Sequence, residues 1–103
     1  MKVKLFCAYG MTTDFLATEM KKAAGPDESV SAHDINFFED EVKKDCDVAL
    51  LGPQARMYLK DMRKAAEPYD VPVDVIEIRA YGRRDGAAVM EQARALLAQA
   101  KQS

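Results

Sequence analysis

Four consecutive apolar residues, Val48-Ala49-Leu50-Leu51, run directly into Gly52-Pro53. A strand with one face in water alternates apolar and polar side chains, so an unbroken run predicts a strand covered on both faces. Pro53 suits the first residue of a following helix, where its missing N–H costs nothing. A second run, Val3-Lys4-Leu5-Phe6-Cys7, also reads as a short buried strand and passes through a Gly/Thr loop into a helical pattern.

The rest of the chain alternates in the same way. Phe15, Leu16, Met20 and Ala23 recur at helical spacing between about Thr13 and Ala24, and Gly25-Pro26-Asp27 stops that helix. Ser29 to Asp34 alternates polar and small apolar residues, which suits a half-solvated edge strand. Residues 36–44, with Phe37, Phe38 and Val42, predict a short helix. The helix opened by Pro53 carries Met57, Leu59, Met62 and Ala66 and ends near Glu67-Pro68. Val73 to Ile78 forms the fourth predicted strand, and a last helix runs from Arg84 or Asp85 to Lys101 with Val89, Ala93, Leu96 and Leu97 on one face.

Strands joined by helices pair in parallel through right-handed crossovers. The expectation is an α/β three-layer sandwich: a four-stranded parallel sheet of order 2-1-3-4 with helices on both faces. Its switch point lies between strands one and three, and ligands bind there, outside the carboxyl ends of the strands. The loop after Cys7 and the Gly52-Pro53-Gln54 turn both fall at that end.

At 103 residues the chain makes one domain, 1–103. Fifteen basic residues against 17 acidic give a net charge of −2, so no overall field draws it to nucleic acid or anionic lipid. No apolar run approaches the roughly 20 residues of a membrane span, and the N-terminus is too weakly basic and apolar for a secretory signal. Cys7 and Cys46 make no CxxC pair, which favours reduced thiols in a cytoplasm over a disulfide scaffold. No metal or cofactor is expected.

A lone cysteine at a strand end is usually a small buried hydrophobe, but the surroundings of Cys7 point further. Backbone N–H groups at a helix start are unpaired, and the helix dipole adds partial positive charge. Both favour a thiolate and a bound phosphate. Cys46 stands between Asp45 and Asp47, carboxylates that oppose ionisation, and reads as structural. Gln54 is placed to reach the cysteine loop. His33, the only histidine, is expected as an exposed loop residue rather than a partner of Cys7. Arg56 and Arg79 are expected to be solvated or ion-paired.

Leu5-Phe6-Cys7-Ala8-Tyr9-Gly10-Met11-Thr12-Thr13 resembles the phosphocysteine loop of enzyme IIB of the bacterial phosphoenolpyruvate-dependent sugar phosphotransferase system, in the lactose/cellobiose branch that includes diacetylchitobiose. The similarity continues through Val48 to Arg56 and through Tyr81-Gly82-Arg83-Arg84-Asp85-Gly86, covering essentially the whole chain. The resemblance implies a cytoplasmic phosphotransferase that meets the inner face of the membrane through its partner. Cys7 would take a phosphoryl group from a phosphohistidine of enzyme IIA. It would pass the group to a sugar, expected to be a β-linked disaccharide, bound by membrane enzyme IIC. Ala8, Tyr9, Gly10, Met11, Thr12, Thr13, Asp14 and Phe15 would cradle the phosphate. Thr12 and Thr13 would supply hydroxyl donors and Gly10 a close backbone approach. Tyr9, Met11 and Phe15 would offer a docking patch for enzyme IIA.

Two residues depart from the pattern: Tyr9 stands where the family usually has a small residue, and Asp14 where it has a serine. Asp14 either caps the helix or, if it faces the loop, repels a phosphate dianion. Rival readings are fewer. A cysteine phosphatase needs an arginine six positions after the cysteine, where Thr13 stands, and an Asp-Pro general acid that the chain lacks. A thiol-based arsenate reductase needs further redox cysteines. A non-catalytic interaction or regulatory module of the same fold remains the alternative.

Overall fold

The computed structural model of the protein describes residues 1–8 and 11–102, with the side chains of residues 11 and 12 left aside. Four strands, β1 (Lys2–Cys7), β2 (Ser29–Asp34), β3 (Val48–Leu51) and β4 (Val73–Val75), form one sheet in the order β2-β1-β3-β4. Every pairing is parallel, as the alternation of strands and helices requires. β1 and β3 occupy the centre, and all four residues of β3 are buried.

Alternation along the strands feeds two cores. Val3, Leu5, Val48 and Leu50 face one layer with Leu16, Met20, Val89, Met90 and Ala93, which belong to α1 (Met11–Ala23) and α5 (Gly86–Lys101). Phe6, Ala49, Leu51 and Val73 face the other with Phe38, Val42 and Ala66 from α2 (Phe38–Val42) and α3 (Leu59–Ala66). Short 3-10 turns at Ile35–Phe37 and Pro53–Tyr58 lead into α2 and α3. They shorten the two helices predicted there without moving them. Lys4, also on the second face, is buried with its Nζ donating to the carbonyls of Glu41 and Lys44 at 2.8 Å each and to Glu41 Oε1 at 3.1 Å. A cation is thus set at the carboxyl end of α2, where it satisfies otherwise unpaired carbonyls.

The predicted fourth strand is cut short. β4 ends at Val75, and a further helix, α4 (Ile78–Gly82), replaces its last residues. Two side chains cause the break. Glu77 accepts from the Ala80 amide at 2.7 Å and caps the new helix. Gln92 takes the places a strand neighbour would fill, with Nε2 donating to Val75 O at 2.8 Å and Oε1 accepting from Glu77 N at 2.9 Å. Ile76 stays in the core while Ile78 is turned out to solvent. Among the described residues, no helix is long and apolar enough to cross a membrane.

α1 and α5 meet at Gly86, where an added Cβ would lie 2.3–2.5 Å from the backbone of Glu19 and Met20. Backbone cannot yield as a flexible side chain does, so the helices are held together by the missing atom. Nearby, Arg94 Nη2 and Nε donate to Glu28 Oε1 and Oε2 at 2.7 and 2.9 Å, tying α5 to the turn before β2.

Two outcomes follow. Gly86→Ala should lower stability by about 1–3 kcal/mol. Gly82→Ala, whose added Cβ meets nothing within 4 Å, should be neutral or stabilise its helix by up to about 1 kcal/mol. Urea titration of the two variants beside the parent checks the contrast. The second outcome concerns pH. The Arg94 side chain, helped by the Gly25 amide, holds the Glu28 carboxyl down at about 2 against an ordinary 4.5. A carboxylate depressed on folding stabilises above its unfolded value, and that stability is lost as pH falls towards the folded one. Glu28→Gln should cost about 2 kcal/mol at neutral pH. It should also flatten the fall in thermal midpoint between pH 4.5 and pH 2.

Candidate functional site at the switch point

The last rungs of the central ladder create the site. Phe6 pairs with Leu51, and the Gly52 amide donates to Phe6 O at 2.8 Å. This bond brings the end of β3 against Cys7, which is 1% exposed. Gly52 is needed there. A Cβ on it would lie 2.9 Å from Gln54 Oε1 and 3.5 Å from Cys7 Sγ. The Ala55 amide then donates to Gly52 O at 2.8 Å and closes the turn beneath Gln54.

Gln54 faces the thiol. Its Oε1 lies 3.9 Å from Cys7 Sγ, and its Nε2 donates to the Tyr81 hydroxyl at 3.0 Å. Tyr81 was not anticipated as a site residue. It sits on α4, within a stretch flanking the predicted fourth strand, and its ring is packed into the first core. Only a reading that placed a helix at Ile78–Gly82 would have turned its hydroxyl towards β3.

The opposite flank is acidic. Thr13, Asp14, Ala32, His33 and Asp34 line a pocket of ≈ 180 Å³ between α1 and the end of β2. Asp34 is the register partner of Cys7, and its carboxylate accepts from the Asn36 amide at 2.8 Å. Asp14 is exposed in the first turn of α1, where a negative charge complements the helix dipole. Thr13 is 1% exposed, and its Oγ1 has no hydrogen-bond partner among the described residues. A buried hydroxyl without a partner costs about 1–3 kcal/mol, so the first turn of α1 holds an unused polar group.

Among the other candidates, Ala8 is exposed at the end of β1, and Phe15 is exposed with the Arg84 guanidinium carbon 5.1 Å from its ring centroid. Tyr9 and Gly10 lie outside the described residues, as do the side chains of Met11 and Thr12. The expected role of His33 as an exposed loop residue is corrected. It belongs to β2 and is half-buried, with Nε2 2.7 Å from Ser31 Oγ and its ring 5.7 Å from that of Phe6. Burial pushes its pKa below the ordinary 6.5, although Glu41 works against that shift. Its bonds explain it as structural. Cys46 is structural as expected, but chiefly because of burial, which pushes its thiol up to about 11; Asp47 adds less. Arg56 and Arg79 are both exposed.

A family profile described as "PTS system, Lactose/Cellobiose specific IIB subunit" matches residues 2–92. The chain belongs to this family. It is therefore a IIB component of the sugar phosphotransferase system. An oligo-beta-mannoside-specific EIIB component of Bacillus subtilis (strain 168) is 34% identical over 99 residues, covering 93% of this chain and 95% of the relative. A cellobiose-specific EIIB component of Lactococcus lactis subsp. lactis (strain IL1403) is 37% identical over 102 residues, covering 92% and 94%. A galactose-specific EIIB component of Lactococcus lactis subsp. cremoris (strain MG1363) is also 37% identical over 102 residues.

Solved structures agree on the fold. The solution structure of a cellobiose-specific IIB component from Borrelia burgdorferi gives a TM-score of 0.74 at 27% identity, covering 96% of this chain and 93% of that one. A lactose-specific IIB domain from Streptococcus pneumoniae gives 0.79 at 18% identity, covering 93% and 96%.

Proposed function

We propose that the chain is a phosphoryl carrier in which Cys7 accepts a phosphoryl group from a phosphohistidine of a IIA component. It then passes that group to a sugar bound by a membrane IIC component. The placement of Cys7 carries this reading: a sulfur at the carboxyl end of a central strand, before the first turn of α1. Phosphoryl transfer asks for positioning and charge stabilisation more than for acid–base side chains, and a helix start provides both. The unused hydroxyl of Thr13 is suited to a phosphoryl oxygen.

The chemistry balances. Cys7 Sγ attacks phosphorus, the S–P bond forms as the P–N bond to histidine breaks, and the thiol proton ends on the histidine ring. In the second step a sugar hydroxyl attacks phosphorus, the S–P bond breaks, and the proton returns to sulfur. The names of two of the three relatives, oligo-beta-mannoside-specific and cellobiose-specific, favour a β-linked disaccharide or oligosaccharide as the final acceptor, while the third is galactose-specific. Exposed Phe15 belongs to the surface that a donor would cover. The cytoplasm is the compartment where such donors meet the inner face of the membrane.

Incubation with the general phosphotransferase proteins, phosphoenolpyruvate and a IIA partner should add about 80 Da, one phosphoryl group, to a peptide containing Cys7. Cys7→Ser should abolish the gain. No gain from a IIA protein proven active on another IIB component would overturn the carrier reading in favour of an interaction module. Asp14 supplies a graded test. Its carboxylate flanks the phosphate cradle and opposes an incoming dianion. Asp14→Ser should raise the phosphorylation rate by about two- to fivefold, equivalent to roughly 0.5–1 kcal/mol of relieved, partly screened repulsion. Rapid-quench rates at low salt measure it, and identical rates would show that the carboxylate is too well screened to matter.

A further inference from the structure

The contact between Gln54 and Cys7 contains a chemical mismatch. An amide oxygen 3.9 Å from sulfur can accept from S–H, so it fits the neutral thiol. The same oxygen repels a thiolate, and it would repel a phosphoryl group. Both charged states call for the N–H₂ end of the amide. Turning the amide over exchanges its two ends, and whether it can turn depends on the group at its far end. That group is a phenol hydroxyl, which can accept from Nε2 or donate to Oε1. A carbonyl or a cation at that position would permit only one orientation.

The geometry points to Tyr81 as a positioning residue that holds the Gln54 amide against Cys7 and lets it turn between accepting from the thiol and donating to the charged sulfur or its phosphoryl group. Three observations support this. Tyr81 is 8% exposed, with its amide donating to Glu77 O at 2.9 Å, so the hydroxyl is presented from a fixed ring. Gln54 is exposed, and its amide packs over the notch left by Gly52. The Gln54 Nε2 to Tyr81 hydroxyl bond at 3.0 Å is what holds that exposed side chain in one rotamer. The phosphoryl part of the proposal rests on the carrier reading above; the thiol and thiolate part does not.

Alkylation of Cys7 tests it without a phosphoryl donor. In a Cys46→Ser background, the rate of iodoacetamide labelling is followed against pH for the parent, Gln54→Glu, Gln54→Met, Tyr81→Phe and the Gln54→Met/Tyr81→Phe pair. Gln54→Glu keeps the shape but can only accept, and it should move the labelling profile up by about one pH unit. Gln54→Met and Tyr81→Phe should each move it up by a few tenths. The pair should match Gln54→Met alone, because Tyr81 acts through the amide. With a IIA donor, Tyr81→Phe should slow phosphorylation about threefold and Gln54→Glu at least tenfold.

Superimposable profiles for Gln54→Glu and the parent would overturn the proposal, as would a Tyr81→Phe shift that persists in full beside Gln54→Met. Gln54 is exposed, so its variants keep the test alive if Tyr81→Phe fails to fold. Normal alkylation shifts without phosphorylation of the parent would defeat the carrier reading and leave the positioning role standing.

Discussion

The pairing of β1 with β3 is the constraint on which the rest depends. Val3 to Phe6 run in register with Val48 to Leu51, and each of these strands is covered by a helical layer on both faces. A slip of one residue would exchange the two cores and put Lys4 among the side chains that now surround Leu5. Lys4 prevents such a slip in a second way. Its ammonium is satisfied only where the carboxyl end of α2 lies, through the carbonyls of Glu41 and Lys44. Register, helix position and the location of Cys7 are therefore one decision.

From that pairing the site follows by geometry. The last bond of the ladder, Gly52 N to Phe6 O, ends the sheet beside the sulfur. The β3 side then consists of a proline-started turn, an amide seated over a glycine, and a tyrosine anchored in the core. The other side approaches through α1, whose backbone at Glu19 and Met20 packs directly on Gly86.

Much of this could be read from residues alone. The apolar run of β3 demanded coverage on both faces, the alternation of β2 marked an edge, and together they gave the order β2-β1-β3-β4. Cys7 stood out because a strand end, a Gly/Thr loop and a helix start coincided. The features without a local signal are long-range. Val73 to Ile78 has strand chemistry throughout, and only Gln92, from α5, ends the strand at Val75 by occupying its hydrogen bonds. Tyr81 belongs with them, since it enters the site on the helix that Glu77 and Gln92 create. His33 reads as a surface histidine until Phe6, Ser31 and Glu41 are placed around it. Pairwise contacts of this kind carry no local signature in a single sequence.

The division of charge around Cys7 bears on what a carrier needs. A group that is accepted and then given away must not be held in a deep well, because binding that favours the ground state raises the barrier to release. A guanidinium clamp would bind a phosphoryl dianion strongly, as two parallel charge-assisted bonds do. The flank formed by β3 and α4 instead places a neutral amide, backed by a neutral hydroxyl, next to the sulfur. The other flank carries Asp14 and Asp34, which would work against a dianion on the Cys7 sulfur. The start of α1 adds the attraction of its dipole, roughly half a charge. On the carrier reading proposed above, a neutral amide on one flank and a repulsive edge on the other would favour transfer over storage.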